Sequence, residues 1–148
     1  MVMLSTAIAH MGKVVTTIKV ANFVDKVLAE RGFIPPEQIR ALSVDEVIVD
    51  TGASMLCLPS NLIQSLGLRY AGEVGTRTAT GAGTARIFQG VLLEIEGREG
   101  TFDCLELPDG VATLLGVIPQ EQLGLEPDLQ NQCLRLLPIT PKESYISM

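Results

Sequence analysis

The sequence predicts a mostly-β single domain, a closed barrel or sandwich of many short strands with short helices between them. Three observations carry that prediction. Apolar and β-branched runs recur at short spacing, each bounded by Gly, Pro, Asn or Asp. No apolar-periodic stretch is long enough for a long helix, and no internal repeat or low-complexity segment interrupts the pattern. The length, 148 residues, suits one domain, and such a domain buries about 70% of the surface its unfolded chain exposes.

Residues 13–22, KVVTTIKVAN, are rich in β-branched side chains and read as a strand. The next stretch, FVDKVLAERGF, changes period. Phe23, Val24, Val27, Leu28 and Ala29 fit a short amphipathic helix closed by Gly32. Pro35 and Pro36 stop it, and PEQIRAL reads as a further helical turn with proline at its first position. VDEVIVD, 44–50, returns to strand character. PSNLIQSLGL, 59–68, reads as a short helix with Ser60 as N-cap and Gly67 as C-cap. Residues 72–97 read as two strands around a tip at Gly81, Ala82 and Gly83. REGTFDCLELP is a strand with alternation through Phe102, Cys104, Leu105 and Leu107. An apolar strand ending in LLG then precedes a short helix opened by Pro119 and closed by Gly124. EPDLQNQCLRLLPI reads as a turn, carried by Asp128, Gln130 and Asn131, and a final strand. The domain is expected over 13–138, with a flexible segment at 1–12 and a tail at 139–148.

The hydrophobic fraction of 47% excludes a disordered chain, and the low charged fraction of 19% hints at surface covered by a partner. A net charge of −6 without any basic run speaks against nucleic acid and anionic membranes as partners. Three widely spaced cysteines and one histidine, His10, offer no metal-ligand spacing, so neither a metal nor another cofactor is expected. Cys57 and Cys104 lie in apolar runs and read as buried structural thiols. No stretch approaches the roughly 20 apolar residues that span a bilayer. The first residues lack a basic leader region and a small-residue cleavage site. A cytoplasmic protein is the expectation.

One stretch does not fit a purely structural account. In VIVDTGASMLCLP, 47–59, an acidic residue, Asp50, closes an apolar strand and is followed at once by Thr51 and Gly52. Alone, this is a turn in which the carboxylate bonds backbone amides. It does not stand alone. A glycine-bearing hairpin, TATGAGTARIF, follows, and then the apolar pair Leu114–Leu115 with Gly116 before a short helix.

The ordered set of VDTGAS, TATGAGTARIF and LLGVIPQEQLGL resembles the retropepsin-type aspartic proteases, and is most similar to small stand-alone bacterial members of that clan. The resemblance covers roughly 13–138. It implies a closed barrel-like retropepsin fold with one lobe per chain, and an aspartic endopeptidase completed by a homodimer. A single Asp-Thr-Gly in a one-lobe chain needs a second copy to supply its partner carboxylate. Asp50 would be catalytic, with Thr51 bonding across the dimer axis and Gly52 bringing its amide to the carboxylates. Thr80, Gly81, Ala82 and Gly83, within a flap at 80–84, would close over an extended peptide. Ile87, Phe88, Val117 and Ile118 are the candidates for an apolar pocket. Leu114, Leu115 and Gly116 would pack beneath the catalytic loop, and Ala53 would support it. Ala53 lacks the hydroxyl that two-lobed relatives carry there, which points to activity at mildly acidic to near-neutral pH. The segment 21–42 is longer than a minimal retropepsin has, and reads as an insertion. The rivals are a retropepsin-fold dimerisation or peptide-binding module with little or no catalysis, and a monomeric β-barrel binding protein.

Overall fold

The computed structural model describes residues 2–3 and 13–138, so the expectations for 4–12 and 139–148 lie outside the described residues. Ten strands and three α-helices follow in order. They are β1 (Val2–Met3), β2 (Val14–Asn22), α1 (Phe23–Glu30), β3 (Ala41–Val49), β4 (Leu56–Pro59) and α2 (Ser60–Leu66), then β5 (Arg69–Thr78), β6 (Gly81–Ile95), β7 (Arg98–Leu107), β8 (Leu114–Leu115), α3 (Val117–Leu123), β9 (Leu125–Asp128) and β10 (Cys133–Leu136). A 3₁₀ turn spans Pro36–Gln38. The expected mostly-β class holds. Val2 and Met3 pair in parallel with Thr76 and Arg77 of β5.

The barrel closes through β6. The sheet runs β1-β5-β6-β2-β3-β8-β4-β7, and a further β6–β7 pairing joins β7 back to β6. Six strands therefore form a ring that abolishes its own edges. β5 hangs outside the ring on β6. β6 serves both structures: its 81–89 half pairs with β5, and its 87–95 half pairs with β7. A bulge at Gln89–Gly90, opposite one residue of β7, lies where the halves meet. Gly90 takes φ 90°, the left-handed value that such a bulge demands and that a side chain resists.

Alternation along the strands sorts the apolar residues into two layers. Val14, Ile18, Val20, Val47, Val49, Leu56, Leu58, Leu93 and Leu115 fill the barrel. Residues of opposite phase form a second cluster outside it: Ala53, Cys57, Ile87, Leu105, Leu107 and Leu114, with Ile48, Met55, Val74 and Ala85 packed against them. Both layers are buried, which is why these strands are apolar on both faces.

The segment 21–42 folds onto itself. Asn22 caps α1 through Oδ1, which accepts from the Asp25 amide at 3.0 Å. The Asp25 carboxylate accepts from the Arg40 amide at 3.1 Å, from Nε at 2.8 Å and from Nη2 at 3.0 Å. The Arg40 side-chain hydrogen bond holds the Asp25 carboxyl below its ordinary range. The expected helical turn at PEQIRAL shrinks to the 3₁₀ turn, because Ala41 onward is taken into β3 against β2. Ser60, expected as N-cap, is the first helical residue of α2, and Pro59 holds the cap position. The Asn61 amide is met instead by the Asp109 carboxylate at 2.7 Å. Left-handed Gly67 and Gly124 close α2 and α3 as expected. α3 begins at Val117, two residues before Pro119. No helix among the described residues is long and apolar enough to cross a membrane.

Candidate active site

β3 delivers Asp50. Val47 and Val49 point into the barrel, and Ile48 joins the outer cluster. Asp50 follows in the phase of Ile48, just past the strand end, and is 8% exposed. Its amide donates to the Leu115 carbonyl at 3.0 Å, and its carbonyl accepts from the Ala53 amide at 3.3 Å. Its Oδ1 accepts from the Gly52 amide at 2.8 Å. Its Oδ2 is buried and has no hydrogen-bond partner among the described residues. Buried polar atoms are nearly always paired, since an unmet one costs about 1–3 kcal/mol. Thr51 and Gly52, beside it, are exposed.

β8 holds the loop from below. Leu114 and Leu115 pair in parallel with Ile48 and Val49, and antiparallel with Cys57 and Leu56. A two-residue strand thus bridges the two arms of the Asp50 loop. Leu115 enters the barrel core and Leu114 the outer cluster. The first amides of α3, at Val117 and Ile118, donate to the carbonyls of Ala53 and Ser54, both at 2.9 Å. Helix N-termini leave such amides free, so the loop and the helix satisfy each other. Gln120 adds a side-chain bond from Nε2 to the Leu115 carbonyl at 2.8 Å.

The hairpin β5–β6 turns at Ala79–Thr80, with Thr78 paired to Gly81. The tip expected at Gly81, Ala82 and Gly83 therefore lies two residues earlier. Those three residues extend β6, paired with Thr78, Arg77 and Thr76, and are exposed. The tip follows the cross-strand register rather than the glycines. Val74, Ala85 and Ile87 of the hairpin pack on the cluster that contains Ala53 and Leu114. The hairpin and the Asp50 loop thus share one apolar layer.

The pocket candidates separate. Ile87 lies in the outer cluster. Phe88 has the opposite phase and sits in the barrel core, edge-on to Tyr70 with ring centroids 5.8 Å apart. Ile118 is 52% exposed and lines a different cleft of about 510 Å³ with Met55, Phe102, Asp103 and Gln122. Cys57, Leu105, Leu107, Val74 and Ala85 were not anticipated as members of the layer. For Cys57 the sequence carries a signal, since MLCLP is apolar at both phases, the mark of a strand covered on both sides, whereas Glu106 interrupts CLEL and polar or small neighbours flank Val74 and Ala85.

Burial raises both of the enclosed thiols. Burial pushes Cys57 up to about 12, and the Asp50 charge adds to the effect. Burial does the same to Cys104, also to about 12, with Cys57 adding to it.

A closed six-strand barrel, an Asp-Thr-Gly loop braced by an apolar-apolar-Gly strand, and a long hairpin on the same face define a retropepsin-like aspartyl protease domain. The family model described as gag-polyprotein putative aspartyl protease matches residues 39–117, more than half of the chain, and the chain belongs to that family. The search of curated proteins finds no match for it.

Proposed function

We propose that this chain is an aspartic endopeptidase whose active site is completed by a second copy, with Asp50 of each subunit forming the catalytic dyad. The observation that carries the reading is the buried, unpartnered Oδ2 of Asp50 next to exposed Thr51 and Gly52. A carboxylate oxygen held out of water without a partner is costly unless a group outside the chain meets it. A symmetric copy supplies such a group, because an isologous contact on a two-fold axis brings like residues together.

The chemistry follows from that pairing. Two carboxylates in contact cannot both ionise comfortably, so the pair holds one proton between them. The ionised member takes a proton from water as it attacks the peptide carbonyl, and the protonated member donates to the carbonyl oxygen. The roles then exchange as the amine leaves. The Gly52 amide, already bonded to Oδ1 at 2.8 Å, orients the carboxylate. Thr51 is assigned to the contact across the axis. The hairpin is assigned to cover an extended peptide, with backbone pairing for affinity and the half-buried Ile48, Val74 and Ala85, packed against the outer cluster, for side-chain selection. A peptide with apolar residues at the cleaved bond is the substrate class that fits this lining.

The test is direct. The purified chain is incubated with a mixed peptide pool, and new termini are read by mass spectrometry. New termini with the natural chain, absent with Asp50→Asn and Asp50→Ala, are the expected result. Cleavage that survives both substitutions contradicts the reading. An uncut pool that is nevertheless bound supports the peptide-binding module instead.

A further inference from the structure

Arg86 stands where the hairpin leaves the barrel. Continuing the β6–β7 register outward from the Ile87–Leu105 pair brings Arg86 opposite Glu106. Beyond that point β6 has β5 as its ladder partner, and β7 no longer follows it. The two side chains meet there in a fork: Nε donates to Oε1 and Nη2 to Oε2, both at 2.7 Å. The pair lies on the face of β6 opposite Ala85 and Ile87, so it does not line the apolar layer. Of the ion pairs between described residues, this one joins the hairpin to the barrel.

The surroundings restrict both partners. The Arg86 guanidinium lies 5.4 Å from the centre of the Phe88 ring, and Phe88 in turn meets Tyr70 of β5. The Glu106 side chain is 14% exposed against 49% for Arg86, and Ser60, at the start of α2, lines the same cleft as the Glu106 carboxylate. A belt of side chains thus runs from β5 through β6 and β7 to α2 across the hairpin root. Bulges in β5 between Tyr70 and Gly72, and in β6 between Phe88 and Val91, lie next to it. A cleft of about 260 Å³ lined by Ser60, Thr84, Arg86, Glu106 and Pro108 flanks the pair.

We propose that Arg86 and Glu106 are positioning residues, a latch at the hairpin root that sets how the hairpin lies over the active-site face. A bidentate guanidinium–carboxylate fork fixes direction as well as distance, which a contact between apolar side chains does not. With the latch closed, the arm at 81–85 leaves the barrel at one angle. With it broken, the apolar contacts of Val74, Ala85 and Ile87 still hold the arm, but its tip samples a wider range. Peptide binding then falls while the Asp50 chemistry is untouched. The catalytic consequence rests on the proposal that the hairpin is the flap of a peptidase; the mechanical one does not.

The experiment uses the full chain with Arg86→Glu, Glu106→Arg, the double swap and the milder Glu106→Gln. Amide hydrogen exchange is read over 73–85, with 47–49 and 91–95 as the barrel control. The single substitutions should speed exchange in the hairpin about tenfold and leave the barrel unchanged. The double swap should restore protection. On a peptide the natural chain cleaves, the single variants should raise KM about fivefold with kcat within about twofold, again reversed by the swap. Unchanged hairpin exchange in Glu106→Gln and Arg86→Glu overturns the latch, and so does a double swap that restores nothing. Exchange reads the latch in a chain that cleaves no peptide at all, so failure of the peptidase reading and failure of the latch remain distinguishable.

Discussion

Gly116 lies so close to Met55 that a β-carbon on it would stand 2.6 Å from the Met55 amide nitrogen and 2.7 Å from the Ser54 carbonyl carbon. The atoms in the way are backbone, and they belong to the C-terminal arm of the Asp50 loop. The glycine that follows the two apolar residues is thus required by close packing of two chain segments. Gly116→Ala should force the loop and α3 apart. A loss of about 1–3 kcal/mol in urea unfolding is expected for such overpacking, together with loss of peptide cleavage. A stable, fully active variant would show that the loop position does not depend on this contact.

Asp25→Asn tests the pair that closes the 21–42 segment. The Arg40 bonds lower the folded carboxyl below its unfolded value, so their stabilisation is fully present above the unfolded value, near pH 4. It is lost as pH falls through the lowered folded value. The gap in Tm between the natural chain and the variant should therefore be widest near neutral pH and close in strong acid. A gap that is constant across that range would assign the effect to packing.

Asp109→Ala should remove the acceptor for the Asn61 amide at the start of α2. Cap losses of this kind cost about 1 kcal/mol. Asp109→Asn retains an oxygen acceptor and should cost less. Equal losses in equilibrium unfolding would show that charge, rather than the hydrogen bond, carries the effect.

Thiol labelling separates the three cysteines. Cys57 and Cys104 are fully buried and held protonated to about 12, whereas Cys133 is exposed. The thiolate is the reacting species. Iodoacetamide near neutral pH should modify Cys133 in the native chain, and the other two only after denaturation. Native labelling of Cys57 would place the outer cluster in open solvent.

The parts of the fold legible in the sequence are those set by neighbours along the chain. The Val47–Ile48–Val49 run ending in Asp50 is one, and the left-handed glycines at Gly67 and Gly124 are others. What escaped depends on residues that meet across strands. The hairpin tip was set on glycines, yet the register fixing Thr78 opposite Gly81 puts the turn at Ala79–Thr80. Ser60 has the right chemistry for a cap, but Asp109, far along the chain, takes the Asn61 amide. Phe88 and Ile87 are equally apolar, and only strand phase sends one to the barrel and the other to the outer cluster. Of the proposed site, Asp50 and Leu114–Gly116 can be picked out in the sequence because each motif is local. The outer cluster beside it is not legible, because six strands and a loop build it.

On the proposed reading, one chain is half of an active site. The most direct measurement mixes the natural chain with Asp50→Asn at varied ratios, fixed total concentration and full subunit exchange, and follows peptide cleavage. A site shared by two copies predicts activity that falls with the square of the natural fraction, to about a quarter at equal mixing. A site complete in each chain would give a linear fall, to about half, and that result would rule out a site shared between two copies.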